Sequence, residues 1–214
     1  MELTLVVLLL WLFQQAMHTQ FDALGSAALY GSLFAGLLQL MALRHFRADL
    51  PVVARDSLTH IPPLRLSLGW IVFCVLALAL LQVMAFLHLP TSVEVAREYR
   101  PYAAHWVGWL TICLVLPLVE EIVFRACAMG LLLRRMSKTP AVALAAAAFA
   151  CVHLSDPVHA CVAFVGGLVL GFAYLQTRSV LPGYIAHAIN NAVALGVLGL
   201  HAQEQKLPAM LVGA

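Results

Sequence analysis

The amino-acid sequence is dominated by long apolar runs that follow one another with short polar interruptions. The run from Leu68 to Leu89 contains no Asp, Glu, Lys or Arg, and a helix needs about 20 such residues to cross the hydrocarbon core of a bilayer. Apolar residues make up 63% of the chain and charged residues 10%, whereas about 25% of a soluble domain is charged. Because water could not solvate so much apolar surface, we expect the chain to be embedded in a membrane.

The apolar runs are continuous and do not alternate with a period of two, which favours helices over strands. Helices also satisfy their own backbone hydrogen bonds inside lipid. We therefore predict an all-α fold: a polytopic transmembrane bundle of about six to eight helices, forming a single integral membrane domain over residues 1–214. The candidate spans are Leu3–Met17, Ala23–Leu43, Leu68–Leu89, Ala103–Leu133, Ala141–Leu154, Val158–Gln176 and Leu181–Leu200. Gln14 and Gln15 interrupt the first span, and without it the count is six.

Polar stretches separate the early spans, and small residues mark a later one. Arg44–Ser67 is predicted to be a proline-interrupted loop at the membrane surface, and Thr91–Tyr102 a short solvated loop or interfacial turn. In the sixth span, Gly167 and Gly171 lie four residues apart, which predicts a face for close helix contact.

The basic residues predict an orientation, since cytoplasmic loops of membrane proteins carry an excess of Lys and Arg. With seven spans, one side receives most of them: Arg44, Arg47, Arg55, Arg65, Arg134, Arg135, Lys138 and Arg178. The other side receives Arg97, Arg100 and Lys206. We therefore predict an integral membrane protein with a cytosolic N-terminus.

Three charged residues lie inside the fourth apolar run: Glu120, Glu121 and Arg125. A charge at mid-bilayer costs at least about 2.5–3.5 kcal/mol on insertion scales, so these residues are expected to face a protein interior or a water-filled cavity. A structural ion pair between helices is one interpretation, but it explains one carboxylate and not two.

Helix geometry separates the two glutamates. Glu121 and Arg125 are four residues apart with the acid first, which is the favourable order for an ion pair on one helix face. Glu120 is rotated by about 100° from Glu121 and is predicted to be the residue that is left for chemistry. Pro117, one turn earlier, is expected to free a backbone carbonyl and to kink the helix near this site.

Histidines are the next polar residues that are expected to lie deep in the membrane. A hairpin turn near Met136-Ser137 would place Glu120 and His153 at the same depth, both about 20–25 Å from the turn. His187 lies in the seventh span, with Asn191 one turn later on the same face. His159 begins the sixth span and could line the mouth of a site.

Together these residues form three motifs in one order along the chain: Glu120-Glu121-x-x-x-Arg125, Phe149-x-x-x-His153 and His187-x-x-x-Asn191. This ordered set resembles the CAAX protease and bacteriocin-processing (Abi) family of intramembrane glutamate proteases, which includes the Ras-converting type of CAAX prenyl endopeptidase. The resemblance covers roughly residues 103–200.

The resemblance implies a role for each residue. Glu120 would be the general base that activates water, and His153 would hold the same water. His187 and Asn191 would stabilise the oxyanion at the scissile carbonyl, which is worth several kcal/mol in a water-poor site. Glu121 and Arg125 would support the site, and no cofactor would be needed.

Two alternatives remain open. Glu120, His153 and His187 could supply a metal site with two histidines and one carboxylate. Alternatively, the chain could be a transporter, an immunity protein or a scaffold, since buried carboxylates and histidines also suit a proton path. HExxH, an intramembrane Asp pair and a GxSx nucleophile motif are absent from the sequence, which argues against the other types of intramembrane protease.

The expected partners are the lipid bilayer and a membrane-associated peptide or protein, with no nucleic acid. Candidate substrates are a prenylated CAAX tail, a bacteriocin or pheromone precursor, and the hydrophobic tail of a surface protein. By analogy with compact bacterial relatives we expect processing of a peptide or protein tail and not maturation of a prenylated protein. The same resemblance implies a location in a bacterial inner (cytoplasmic) membrane.

Overall fold

The computed structural model describes residues 26–45, 52–88, 102–154 and 157–204. These residues form helices, and the described ranges contain no strand. The all-α prediction is therefore confirmed. The predicted first span, Leu3–Met17, lies outside the described residues.

Besides the short helical stretch 102–104, seven helices occur within the described ranges. We name them α1 (Ser26–His45), α2 (Val52–Thr59), α3 (Leu64–His88), α4 (Trp106–Leu132), α5 (Lys138–Cys151), α6 (Pro157–Thr177) and α7 (Leu181–Glu204). Three of these helices contain segments long and apolar enough to cross a membrane: Leu64–Ala85, Trp106–Leu132 and Pro157–Thr177. These segments support the prediction that the chain is an integral membrane protein.

The prediction of an irregular loop over Arg44–Ser67 is wrong in part. This stretch contains α2, and α3 begins at Leu64, four residues before the predicted start at Leu68. A proline before or at the first helical turn is well tolerated, because its fixed φ suits a helix and its missing N–H would have no partner there. Pro63 therefore starts the helix and does not delay it.

Tyr102 also departs from its prediction. It was expected to end a solvated loop, but its side chain is fully buried. It packs with Val107, Ile112 and Leu195 in an apolar core. The large aromatic ring gains more from this burial than from exposure.

The predicted hairpin in the middle of the chain is present. Helix α4 ends at Leu132 and α5 begins at Lys138, and the turn between them includes Met136 and Ser137. The predicted start of the fifth span, Ala141, is three residues late. Pro140 lies in the first turn of α5, where its missing N–H costs no helical hydrogen bond.

Helices α5 and α6 pack closely through the predicted glycines. A Cβ on Gly167 would lie 3.1 Å from the Cα of Ala146, and a Cβ on Gly171 would lie 2.9 Å from Cγ1 of Val142. Only a residue without a side chain allows this approach, so the predicted face for close helix contact is confirmed.

The chain divides into two compact units. One contains Met1–Leu43, Pro90–Leu116 and Asn191–Ala214, and the other contains Arg44–Leu89 and Pro117–Asn190. Within the second unit, Cys74 and Leu78 of α3 pack with Leu170, Ala173 and Ala186 in an apolar core. The prediction of a single membrane domain over residues 1–214 stays a prediction.

Candidate active site

The charged segment of α4 is buried. Glu120 is 8% exposed, and Glu121 and Arg125 are each 1% exposed. The two glutamates end a short α-helical stretch, Leu116–Glu121, which lies between two π-helical stretches of the same helix. Local π-helical turns are frequent at functional sites.

Glu121 and Arg125 form the ion pair that their spacing predicts. Oε1 of Glu121 lies 3.3 Å from Nη2 of Arg125. The guanidinium also lies 4.9 Å from the centre of the Phe149 ring, a distance at which a cation is attracted to the ring face. The buried positive charge is therefore stabilised by one carboxylate and one aromatic ring.

His187 lies between the two carboxylates. Its Nδ1 is 3.2 Å from Oε1 of Glu121, and its Nε2 is 3.6 Å from Oε2 of Glu120. A carboxylate only accepts hydrogen bonds, so Nδ1–H donates to Glu121. The contact between Nε2 and Glu120 is attractive only when one of these two groups carries a proton.

His153 is held by its own helix turn and by Phe149. Its Nδ1–H donates to the Phe149 carbonyl oxygen over 2.8 Å. The Phe149 ring contacts both histidine rings, with centroid distances of 4.8 Å to His153 and 5.8 Å to His187. With hydrogen on Nδ1, the neutral ring has its acceptor lone pair on Nε2, so His153 can accept a hydrogen bond from water.

The structure places Glu120 and His153 in the same compact unit. Among the described residues, the ion-pair partner of Glu120 is His187 and not His153. His159 interacts with both of these residues. Its ring lies 4.6 Å from that of His153, and it interacts electrostatically with Glu120. The shared role of Glu120 and His153 stays a prediction.

Asn191 has a structural contact. Its Nδ2 donates to the carbonyl oxygen of Ile112 over 3.0 Å. In the π-helical stretch Leu110–Val115, the N–H of Leu116 donates to the carbonyl oxygen of Thr111, five residues earlier. In the same register the carbonyl oxygen of Ile112 would accept from the N–H of residue 117, but Pro117 has no N–H. The carbonyl that the proline was predicted to free is thus the one that Asn191 satisfies. The predicted oxyanion role of Asn191 stays a prediction.

No group of three or more His, Cys, Asp or Glu side chains in the described ranges is arranged to hold a metal ion. Glu120, His153 and His187, which could have formed such a set, do not do so. Each imidazole Nδ1 faces an oxygen of Glu121 or of Phe149.

The family described as type II CAAX prenyl endopeptidase Rce1-like matches residues 102–193. This stretch is less than half of the chain, and over it the chain is similar to that family. The predicted resemblance to the CAAX protease family is thereby confirmed. No curated protein and no solved structure gives a significant match.

Sequence reasoning missed three features of the Rce1-like segment. These are the contact of His187 with Glu121, the position of Phe149 between two histidines, and the close approach of Gly183, where a Cβ would lie 2.9 Å from Oε2 of Glu121. The glycine in Leu181-Pro182-Gly183 was visible in the sequence as a helix start. Nothing in the sequence says that this helix start meets a carboxylate 62 residues earlier in the chain.

Proposed function

We propose that this protein is an intramembrane glutamic-type endopeptidase that cleaves a membrane-associated peptide or protein tail. One observation carries the proposal: both buried carboxylates contact His187, but Glu121 also forms an ion pair with a permanent cation. Glu121 lies 3.3 Å from Nη2 of Arg125, whereas Glu120 lies against the imidazole of His187, which can carry a proton on either ring nitrogen. Glu120 is thus suited to proton transfer, and Glu121 is not.

In the proposed reaction, water attacks the scissile carbonyl carbon while the Glu120 carboxylate takes one of its protons. His153 Nε2 accepts a hydrogen bond from the other hydrogen of this water, which stays on the attacking oxygen, and thereby fixes the direction of attack. The C–N bond then breaks, and the leaving nitrogen takes the proton from Glu120. The second water proton passes from the new carboxyl group to the amine, so the products are a carboxylate and an ammonium group.

The oxyanion formed during attack needs hydrogen-bond donors. We assign this role to His187 Nε2–H and to the Asn191 amide, as the family resemblance implies. Glu121 supports the assignment of His187, because the hydrogen bond that it accepts from Nδ1–H leaves Nε2 as the ring nitrogen that faces Glu120. With hydrogen on Nδ1, Nε2 donates only when the ring is the doubly protonated imidazolium, and the assignment uses that form of His187. Donors held in place before the reaction stabilise the oxyanion without reorganising.

The proposed substrate is a peptide or protein tail that reaches the site from the membrane. The family description names a prenyl endopeptidase, so a prenylated CAAX peptide belongs in the test beside its unprenylated form and a peptide with an apolar tail. Cleavage of the unprenylated or apolar peptide would support tail processing, whereas cleavage of the prenylated peptide alone would replace it with prenyl-protein maturation.

The test uses the full chain reconstituted in lipid vesicles with these three peptides, and mass spectrometry to find the cut bond. Glu120→Gln should lower kcat for cleavage by at least about 100-fold, while the matched control Asp56→Asn, at an exposed carboxylate of α2, should cleave like the wild type. Full cleavage by Glu120→Gln, or no cleavage by the wild type, would contradict the proposal. Loss of cleavage in strong chelators would favour the metal-dependent alternative.

A non-enzymatic proton path is the second candidate. The observation that favours it is the series of titratable side chains formed by His159, Glu120, His187 and Glu121. Proton flux across vesicles that depends on Glu120, without cleavage of any peptide, would select this function.

A further inference from the structure

His159 is the third histidine near Glu120, and the proposed reaction does not use it. It lies in the first turn of α6 and is half-buried. Sequence reasoning suggested that it could line the mouth of a site. The structure places its ring against that of His153, with a centroid distance of 4.6 Å and a tilt of 57°.

The His153 ring is therefore restrained at three places. Its Nδ1–H donates to the Phe149 carbonyl oxygen, its ring meets the Phe149 ring, and it meets the His159 ring. The hydrogen bond alone fixes one nitrogen but lets the ring tilt about that point. Contact with a second ring removes this freedom and holds Nε2 in one direction.

His159 also interacts electrostatically with Glu120. The same side chain thus interacts with both residues to which the proposed function assigns the water. A ring in this position is well placed to set the direction in which His153 presents its acceptor nitrogen to that water.

We propose that His159 is a positioning residue that fixes the His153 ring by direct packing and so orients the attacking water. The inference rests on the proposed function, because it assigns His159 a role only through His153. Since a misplacement of about 1 Å can cost about 100-fold in rate, loss of the packing should lower kcat and leave KM nearly unchanged.

Two variants separate ring packing from other effects. His159→Leu is apolar and similar in bulk but has no planar ring, whereas His159→Phe keeps a ring against His153. We expect His159→Leu to lose up to about 100-fold in kcat, the loss that a misplacement of about 1 Å can cause. His159→Phe should retain most of the wild-type kcat.

The assay uses the reconstituted full chain and whichever of the three peptides is cleaved in a Glu120-dependent way. His105→Leu, at an exposed histidine whose side chain makes no cap hydrogen bond, is the matched control and should behave like the wild type. Thermal unfolding of each variant in detergent shows whether a loss of rate comes from loss of folded protein.

Wild-type kcat in His159→Leu would overturn the inference, and so would a His159→Phe variant that is folded but as slow as His159→Leu. A change confined to KM would also overturn it, because it would indicate contact with substrate. These results leave the proposed function intact as long as Glu120→Gln is inactive. Equal activity of Glu120→Gln and wild type would overturn both.

Discussion

Helices α3 and α4 contain membrane-spanning segments of similar length and apolar character, but their surroundings differ. In the most apolar part of Leu64–Ala85, 11% of the residues are buried within the protein, against 61% in Trp106–Leu132. Large side chains of α3 such as Phe73, Leu76 and Leu80 are exposed. The charges within the fourth apolar run lie in the more buried helix.

The comparison shows what allows charge inside a membrane-spanning helix. An isolated charge in lipid has no partner, and its cost is several kcal/mol. In α4 each buried charge meets a specific group: Arg125 meets Glu121 and the Phe149 ring, and His187 meets both glutamates. Hydropathy alone does not separate these two helices, but the neighbours of each helix do.

The largest expected effect comes from the one carboxylate of α4 that lacks a permanent counter-charge. Glu120→Gln keeps the size of the side chain but cannot accept the proton of water. We expect kcat to fall by about 100- to 10,000-fold, the contribution typical of a general base. Peptide cleavage measures the loss, and detergent unfolding should show a folded protein.

Removing the buried cation of Arg125 should lower the free energy of unfolding more than the other changes do. Arg125→Met leaves the Glu121 carboxylate without its strongest counter-charge, and breaking a buried pair in this way costs about 3–5 kcal/mol. Chemical unfolding in mixed micelles measures the change. The double variant Arg125→Met with Glu121→Leu should recover much of the loss, because replacing both partners removes the uncompensated charge. No recovery would show that the pair acts through something other than charge balance.

The reverse test of the comparison between α3 and α4 places a charge on the exposed face of α3. Leu76→Arg puts a cation near the middle of Leu64–Ala85, at a side chain that the described residues leave exposed. The expected cost of insertion is about 2.5–3.5 kcal/mol, measured as the inserted fraction in a translocation assay. Leu76→Ile is the control and should insert like the wild type. Full insertion of Leu76→Arg would mean that this face of α3 is covered by protein.

The smallest effects come from two glycines. A Cβ at Gly183 would lie 2.9 Å from Oε2 of Glu121, whereas a Cβ at Gly69 in α3 would meet nothing within 4 Å. Gly183→Ala should destabilise by about 1–3 kcal/mol through overpacking and lower kcat by displacing Glu121 from His187. Gly69→Ala should stabilise by about 0.5–1 kcal/mol, since alanine is the better helix former. The same unfolding assay compares the two variants. Equal free energies of unfolding would show that the two glycine positions do not differ in how tightly they are packed.

Local patterns in the sequence predicted local structure well. The apolar runs predicted the helices, the spacing of Glu121 and Arg125 predicted their ion pair, and the spacing of Gly167 and Gly171 predicted close packing. The starts of α3 and α5 were predicted late, because prolines and polar residues in a first helical turn resemble a loop. The order of the three motifs along the chain also predicted the resemblance to the CAAX protease family, and the predicted range covers most of the matched residues 102–193.

The double glutamate in an apolar run is a property that the sequence by itself determined, together with the ion pair of Glu121, because residues four apart on a helix meet whatever surrounds them. The tertiary structure alone decided that His187 lies between the two carboxylates, that His159 packs on His153, and that Asn191 binds the carbonyl of Ile112. These contacts join residues far apart in the chain or in separate helices. Their geometry depends on how the helices pack, which no local spacing encodes.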